Sequence, residues 1–301
     1  MNFNTKFLII DGNSLAYRSI LAFNNKNGGI DLCNSKGRVT GGLFRFINSL
    51  NSVLNKIQPT NIVISWDNKA PTFRHNIFPE YKANRKHNQT EVKEFFEQLE
   101  LIREVVDGLG IKSVSIEGYE GDDIVGSFAK ISDCDENYIL SGDKDNWQLV
   151  NDKTRIIYPK NGFGLYDIVD NDYIIKKFNI GVDKYIEYKM LLGDAGDNIF
   201  GVNGCGEKTA SKLLNENGNI DNILNNIDNI KLNKKVYAGL KEWKDKKELS
   251  RKLVTIVTDV PLPYKCSDCL ININWDNVLP IFKKLELNSL IVKIKNNEFY
   301  C

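Results

Sequence analysis

Acidic residues stand at the ends of four separate apolar runs, and that repetition constrains the fold more than any other feature. The runs are KFLIID (6–11), NIVISWD (61–67), KSVSIE (112–117) and NYILSGD (137–143). Each is short, rich in β-branched and aromatic residues, and bounded by turn formers, so each predicts a strand. TRIIYP (154–159) predicts a fifth. Asp11 ends the first run and Asp67 the second. Glu120, Asp122 and Asp123 follow the third in YEGDD, and Asp143 ends the fourth, with Asp145 two residues on.

Amphipathic stretches lie between the runs. Leu43, Phe46, Ile47, Leu50, Val53, Leu54 and Ile57 recur at helical spacing, and residues 91–109 behave likewise. Strand–helix alternation predicts an α/β domain over 1–182, with a mostly parallel central sheet flanked by helices. Ligands of such sheets bind beyond the carboxyl ends of the strands. After 183, short helical runs joined by Gly- and Asn-rich turns predict a helical domain over 183–301. Asp194 and Asp197, in LLGDAGDN, open it. Residues 286–300 read as a last strand or tail.

The acids need an explanation beyond turns and caps. Any single Asp fits those roles, and Asp122 or Asp123 could cap the next helix. The repeated strand-end placement points instead to one shared cleft. Two carboxylates about 4 Å apart repel by about 1 kcal/mol in water and roughly 4 at an effective dielectric of 20. Such a cleft calls for cations. With only two histidines, His75 and His87, the ligands are oxygens, which suits Mg²⁺ or Mn²⁺ rather than zinc. Two such ions about 4 Å apart support in-line phosphoryl displacement.

Forty basic and thirty-nine acidic residues sum to +1. That sum leaves nucleic acid open, because segregation of charge, not its total, steers a polyanion. PTFRHNIFPEYKANRKH (71–87) is basic and aromatic. On a helix, Lys82 and Arg85 would share a face and could hold a phosphate, while Tyr81 could stack on an unpaired base. A solvated charged helix is the plain alternative. Arg18, in DGNSLAYRS, is either a phosphate contact or a surface residue.

GVNGCGEKTASKLL (201–214) nearly matches a Walker phosphate loop, but Glu207 separates Gly206 from Lys208. A helix–hairpin–helix fits better. Gly204 and Gly206 let backbone N–H groups approach a phosphate, and Lys208 and Thr209 open the next helix. Such a hairpin grips duplex backbone without reading sequence. Of six cysteines only Cys266 and Cys269 are close, as CSDC. Zinc would want a second pair or two histidines, so a reduced surface pair is expected. No apolar run of about 18 residues exists, so no membrane span is expected. The N-terminus reads as a strand rather than a signal peptide, so a cytoplasmic protein is expected.

Five motifs in order, IIDGNSLAYR, WDNKAPTFRHNIFPEYKANR, YEGDDIVG, SGDKDNWQL and GDAGDNIFGVNGCGEKTASKLL, cover roughly residues 6–215. Together they resemble the bacteriophage-type 5′ nucleases, or flap endonucleases, and the N-terminal 5′ nuclease domain of bacterial DNA polymerase I. The stretch LSRKLVTIVTDVPLPY (249–264) resembles a late segment of that family. The resemblance implies a resolvase/PIN-like sheet, a helical arch near 70–100, and a helix–hairpin–helix at about 186–215.

It also implies roles. Asp67, Glu120, Asp122 and Asp143 match the first metal's ligands, with Asp11 and Asp123 close by. Asp143, Asp145, Asp194 and Asp197 match the second's. Lys82 matches the lysine at the scissile phosphate, Arg85 the arch arginine, Tyr81 a stacking tyrosine and Arg18 a phosphate contact. Two or more Mg²⁺ ions are implied, with Mn²⁺ substituting and K⁺ a candidate at the hairpin. The implied partners are DNA with 5′ flaps, pseudo-Y junctions or duplex 5′ ends, and RNA–DNA hybrids, bound by a monomer in a bacterial cell or phage-infected host. Phe200 stands where many members have Pro, and Cys205 where Ile is usual. Two rivals remain: a non-catalytic branched-DNA-binding protein of the same fold, and an RNA-cutting nuclease with a related acidic site. The filled acidic positions disfavour the first, and the hairpin disfavours the second.

Overall fold

The computed structural model describes residues 4–21, 32–85, 89–160 and 164–300. Its strands are β1 (Lys6–Asp11), β2 (Asn61–Ser65), β3 (Lys112–Val114), β4 (Glu136–Leu140), β5 (Thr154–Pro159) and β6 (Tyr166–Val169). They form one sheet in the order β3-β2-β1-β4-β5-β6. Every pairing is parallel except β5 with β6. The expected mostly parallel sheet is therefore present, with β6 an antiparallel edge that four residues of YDIV did not announce. The order reverses at β1, which opens a crevice beyond the carboxyl ends of β1 and β4.

The helices of the first part are α1 (Gly12–Leu21), α2 (Gly41–Ile57), α3 (Phe73–Ile77), α4 (Gln89–Gly108) and α5 (Gly121–Ile131). Alternate residues of β1 serve opposite faces. Leu8 and Ile10 join an apolar cluster with Leu43, Phe46 and Leu50 of α2 and Ile102 and Val106 of α4. Phe7 and Ile9 join another with Ile124, Val125 and Phe128 of α5. Both faces being covered explains why the strands read as nearly continuous apolar runs.

α6 (Asn171–Phe178), α7 (Tyr185–Leu192), α8 (Glu207–Asn217), α9 (Ile220–Asn225), α10 (Lys234–Trp243) and α11 (Lys247–Val254) build the helical part. Trp147 joins it to the sheet. Fully buried, it meets Tyr158 and Tyr173 edge-on and lies tilted against Phe178 and Tyr185. The turn carrying Asp143 and Asp145 is thereby fixed against α7.

The division at 183 does not extend to the end of the chain. Ile271 N donates to the Thr60 carbonyl at 2.9 Å, and Leu270 bridges Asn61 at the entry of β2. α12 (Leu279–Lys284) and α13 (Asn288–Lys295) then bury Phe282 and Leu290 in the cluster beneath α2 and α4. Lys293 Nζ donates to Asn48 Oδ1 of α2 at 2.8 Å. The expected strand or tail at 286–300 is thus largely helix, and it belongs to the α/β part because its apolar residues complete that core.

Candidate metal and nucleic-acid site

The strands end earlier than the apolar runs do, so most of the acids sit in short loops just past the sheet. β2 stops at Ser65, although Trp66 N still donates to the Val114 carbonyl at 2.8 Å. Gly12 permits the tight turn from β1 into α1: a Cβ there would lie 2.6 Å from the Ser65 carbonyl oxygen. Ser14 N, in that turn, donates to Asp11 Oδ1 at 3.0 Å, and Ser141 Oγ donates to its Oδ2 at 2.8 Å. Asp67 Oδ1 accepts from Gly121 N at 2.7 Å, which ties the ends of β2 and α5 together. Glu120 caps α5, placing Asp122 and Asp123 in its first turn. Asp143 caps the next turn and accepts from Asp145 N at 2.8 Å.

Asp194 and Asp197 come from the loop after α7. Gly193, at φ +69°, and Gly201 are packed so closely that a Cβ on either would strike backbone at under 3 Å. Asp194 and Ile199 exchange backbone hydrogen bonds at 2.9 and 2.7 Å, which closes the loop. Asp194 Oδ1 accepts from Gly196 N and Asp197 N at 2.8 and 3.2 Å.

Two lysines organise these acids. Lys82 Nζ lies 2.6 Å from Glu120 Oε1 and 3.8 Å from Asp197 Oδ2. Lys189 Nζ, on α7, lies 2.5 Å from Asp145 Oδ1 and 3.2 Å from Asp194 Oδ2. Arg85 pairs with Asp197. Burial alone would lower both lysines, but Glu120 and Asp197 hold Lys82, and Asp145 and Asp194 hold Lys189, above the usual lysine value. Asp197 therefore stands with Glu120 and Lys82, not with Asp145 as its assignment to the second ion implied. Lys189 was missed in the sequence; its one local signal was a lysine against the apolar run MLL, five residues before Asp194.

Asp11, Asp67, Asp122 and Asp145 resist ionisation. Burial, with lesser pushes from Asp67 and Asp143, raises Asp11 to about 7 against the hydrogen bonds from Ser14 and Ser141. Burial and then Asp143 raise Asp145 to about 6 despite Lys189. Burial and then Asp123 push Asp122 well above the ordinary carboxylate range. Asp122 Oδ1 is buried with no hydrogen-bond partner. A buried, orphaned carboxylate oxygen beside other oxygen donors fits a hard divalent cation. The acids stand apart rather than in a closed cage: among the described residues no three of them offer oxygens within 4.8 Å of one another.

Several expected roles are corrected. Asp123 is not available to an ion. It is wholly buried, and its oxygens accept from Arg74 Nη1 and Nη2 at 2.7 and 2.8 Å and from Glu120 N and Val257 N. Arg74 is also held by the Leu253 and Thr255 carbonyls. Tyr81 is 3% exposed, and its hydroxyl donates to Glu120 Oε2 at 3.0 Å and lies 3.2 Å from Asp197 Oδ2, so it is not placed to stack on a base. Lys82 and Arg85 do not share a helical face. Residues 79–84 run as turns, with Lys82 at φ +58°. Lys82 N donates to the Asp197 carbonyl at 3.0 Å and Asn84 Nδ2 to the Ala195 carbonyl at 2.6 Å, which pins this base of the expected arch to the 194–198 loop. Residues 86–88 of that arch lie outside the described residues. Arg18 is half-buried and donates to the Lys160 carbonyl.

The hairpin is present. α7 and α8 flank it, Val202 N donates to the Leu191 carbonyl at 2.8 Å, and Gly204 turns at φ +80°. Gly206 caps α8 in open space. Gly204, Gly206 and Lys208 are exposed and Thr209 half-buried, so the N-terminal end of α8 faces solvent. Such an end attracts phosphate.

A parallel-sheet crevice lined by carboxylates, with a solvent-facing hairpin beside it, defines a phosphodiester-handling protein of the metal-using type. Two family models match the chain: the 5′-3′ exonuclease N-terminal resolvase-like domain over residues 6–179, and the 5′-3′ exonuclease C-terminal SAM fold over 180–276. The chain belongs to the 5′-3′ exonuclease family. It is 36% identical over 292 residues to DNA polymerase I of Bacillus subtilis, covering 96% of this chain and 32% of that one. It is 37% identical over 298 residues to DNA polymerase I of Synechocystis, covering 96% and 30%. The chain thus spans about a third of the length of these relatives. Among solved structures, the bacteriophage T5 flap endonuclease in a pseudo-enzyme-product complex with DNA and metal ions superposes with a TM-score of 0.65 at 22% identity, covering 95% of this chain and 98% of that one. The catalytic core of Rad2 with DNA substrate gives 0.60 at 14%, covering 94% and 88%. These two likenesses bear on the fold.

Proposed function

We propose that this chain is a divalent-metal-dependent, structure-specific 5′ nuclease acting on 5′ flaps, pseudo-Y junctions, duplex 5′ ends and RNA–DNA hybrids. The single observation that carries this is the convergence of Glu120 and Asp197 on Lys82 and of Asp145 and Asp194 on Lys189, with Asp11, Asp67, Asp122 and Asp143 at the neighbouring strand and helix ends near the sheet's reversal point. Family membership supports it. So do the DNA- and metal-bound T5 and DNA-bound Rad2 structures that share the fold. The role is removal of flaps or primers during replication and repair, by a monomer in the cytoplasm of a bacterial cell or phage-infected host.

Asp122, Glu120, Asp67 and Asp143 would hold one Mg²⁺, and Asp145 and Asp194 a second, with Mn²⁺ able to substitute. K⁺ at the hairpin is proposed on the family resemblance alone. Bound divalent ions supply an activated water and neutralise charge on the leaving oxygen. The residues' own part is electrostatic. Lys82, freed wherever Glu120 holds an ion, would present its ammonium to the phosphate, with Arg85 beside it on Asp197 as a second cation. The amino end of α8, with Lys208 and Thr209, holds duplex backbone and fixes where the strand enters.

The test is cleavage and binding of labelled flap DNA, with single-stranded RNA as a control, in Mg²⁺ and in chelator. The wild type should cut the flap only with Mg²⁺ and leave the RNA intact. Asp143→Asn should bind the flap without cutting it. Full cutting by Asp143→Asn in Mg²⁺ would overturn the proposal, as would RNA being the preferred substrate.

A further inference from the structure

The cysteines expected at the surface are buried, at the end of the sheet opposite the acids. Cys134 lies between α5 and β4, and Cys266 and Cys269 lie in the turn that precedes the C-terminal return. Cys134 and Cys266 are 5% and 3% exposed, and their Sγ atoms are 3.3 Å apart. Asp133 adds a carboxylate oxygen, and the three ligand atoms lie within 4.8 Å of one another, the one such group among the described residues. Cys134 Sγ donates to Asn61 Oδ1 at 3.6 Å, and Asn61 Nδ2 donates to the Cys266 carbonyl at 2.8 Å. The cluster thus sits at the first residue of β2. About 13 Å of strand separates that residue from Ser65, where the acidic cleft begins.

Three acidic groups this close cannot all ionise without a cation between them. Burial, and then Cys134, push the Cys266 thiol up to about 12, so without an ion Cys266 stays a neutral thiol. Two thiolates and one carboxylate form a soft to borderline donor set, which selects zinc-like ions over Mg²⁺. Cys269 is not a ligand here, because its Sγ donates to the Lys265 carbonyl at 3.5 Å.

We infer that Asp133, Cys134 and Cys266 form a binding site for a thiophilic divalent cation of the zinc class, separate from the nuclease cleft. Metal–sulfur bonds of about 2.3 Å around a tetrahedral ion set the two sulfurs roughly 3.8 Å apart, so the pair need open by only about half an ångström. Asp133 is exposed, which gives the ion a path in and leaves the fourth position to water. Binding releases the two thiol protons to solvent. The ion joins residues 132 apart in sequence. It clips the C-terminal return to the sheet just beyond residues 253–257, which hold Arg74 and Asp123 beneath the cleft.

The experiment is a cobalt(II) titration of the reduced, metal-free full chain, followed by visible and near-ultraviolet absorption. A thiolate-to-cobalt charge-transfer band is expected, which the carboxylates of the cleft cannot produce, and zinc should bleach it. Cys134→Ser and Cys266→Ser should each remove the band, Asp133→Asn should weaken cobalt binding about tenfold or more, and Cys33→Ser should change nothing. Circular dichroism checks that each variant is folded. As a measurement that needs no variant, zinc should protect two thiols of the wild type from alkylation. No charge-transfer band, a band that survives both serine variants, unchanged affinity in Asp133→Asn, or no protection by zinc would overturn the site. Loss of two thiols to an intramolecular disulfide under peroxide, with no cobalt band, would assign the pair to redox chemistry instead.

Discussion

Lys82 and Glu120 form an ion pair, 2.6 Å from Nζ to Oε1, whose acid is a proposed metal ligand and whose base is a proposed phosphate contact. Each occupies the other in the absence of ions and DNA. On the proposed reading, each side chain would be freed when an ion or a phosphate takes its partner's place. Lys82→Ala should therefore lower the single-turnover cleavage rate by about 10²–10³-fold, as loss of one preorganised charge does elsewhere. Flap affinity should fall far less. A near-normal single-turnover rate in saturating Mg²⁺ would remove Lys82 from the reaction.

Tyr81 separates a polar role from a stacking role. Its hydroxyl contacts Glu120 and Asp197, and burial first, then those two acids, hold it well above the usual phenol value. Tyr81→Phe keeps the ring and loses the donor. Stability should fall by about 1.5–3 kcal/mol, as for a hydrogen bond to a charged partner, with flap affinity little changed because the ring remains. Denaturant melts and fluorescence anisotropy measure the two quantities. If stability is unchanged and only Tyr81→Ala loses flap affinity, the tyrosine stacks after all.

The placement of these acids at one edge of the sheet was legible in the sequence: Asp11 ends β1, and Asp67 and Asp143 follow β2 and β4 in short loops. Side-chain partners were not legible. Asp122 and Asp123 are adjacent, yet helical geometry sends one into the cleft and the other to Arg74. Nothing local marks Arg74 as the base, since the partners come from α3 and α5, far apart in sequence. Helical spacing also suggested that Lys82 and Arg85 share a face, whereas hydrogen bonds to the 194–198 loop hold that segment in turns. The return of residues 271–300 to the first core depends on long-range packing of Trp275, Phe282 and Leu290, which no periodicity announces.

Asp123 and Arg74 test the line between support and chemistry. Breaking a buried ion pair by removing one charge costs about 3–5 kcal/mol. Asp123→Asn should therefore destabilise the protein by that order in urea, in chelator and in Mg²⁺ alike, because no ion depends on it. Asp122→Asn should behave oppositely. Its oxygen is buried and unpartnered and resists ionisation, so losing the charge should leave the metal-free protein as stable or more so, while abolishing the stabilisation that Mg²⁺ gives. If Asp123→Asn melts like wild type but no longer responds to Mg²⁺, Asp123 is a ligand and its pairing with Arg74 is secondary.

The raised carboxylates set a pH dependence with a definite sign. Asp11 titrates at about 7 and Asp145 at about 6 in the folded chain, and near 3.9 when unfolded. From about pH 4 to 7 the folded state therefore keeps protons that the unfolded state has lost. Stability then falls as pH rises through that interval and levels off above it. Asp122, held well above the ordinary carboxylate range by burial and then Asp123, acts in the same direction. Carboxylates held low by their partners, such as Asp167 and Asp221, titrate below this window and do not mask it. Divalent ions need the ionised acids, so they should reverse the trend. In chelator the melting temperature should drop between about pH 5 and 8, and the increase produced by Mg²⁺ should be larger at pH 8 than at pH 5. Thermal unfolding at both pH values, with and without the ion, measures both slopes. A metal-free melting temperature that rises over this range, or an Mg²⁺ increment independent of pH, would show that Asp122 and Asp145 are not among the groups that bind the ions.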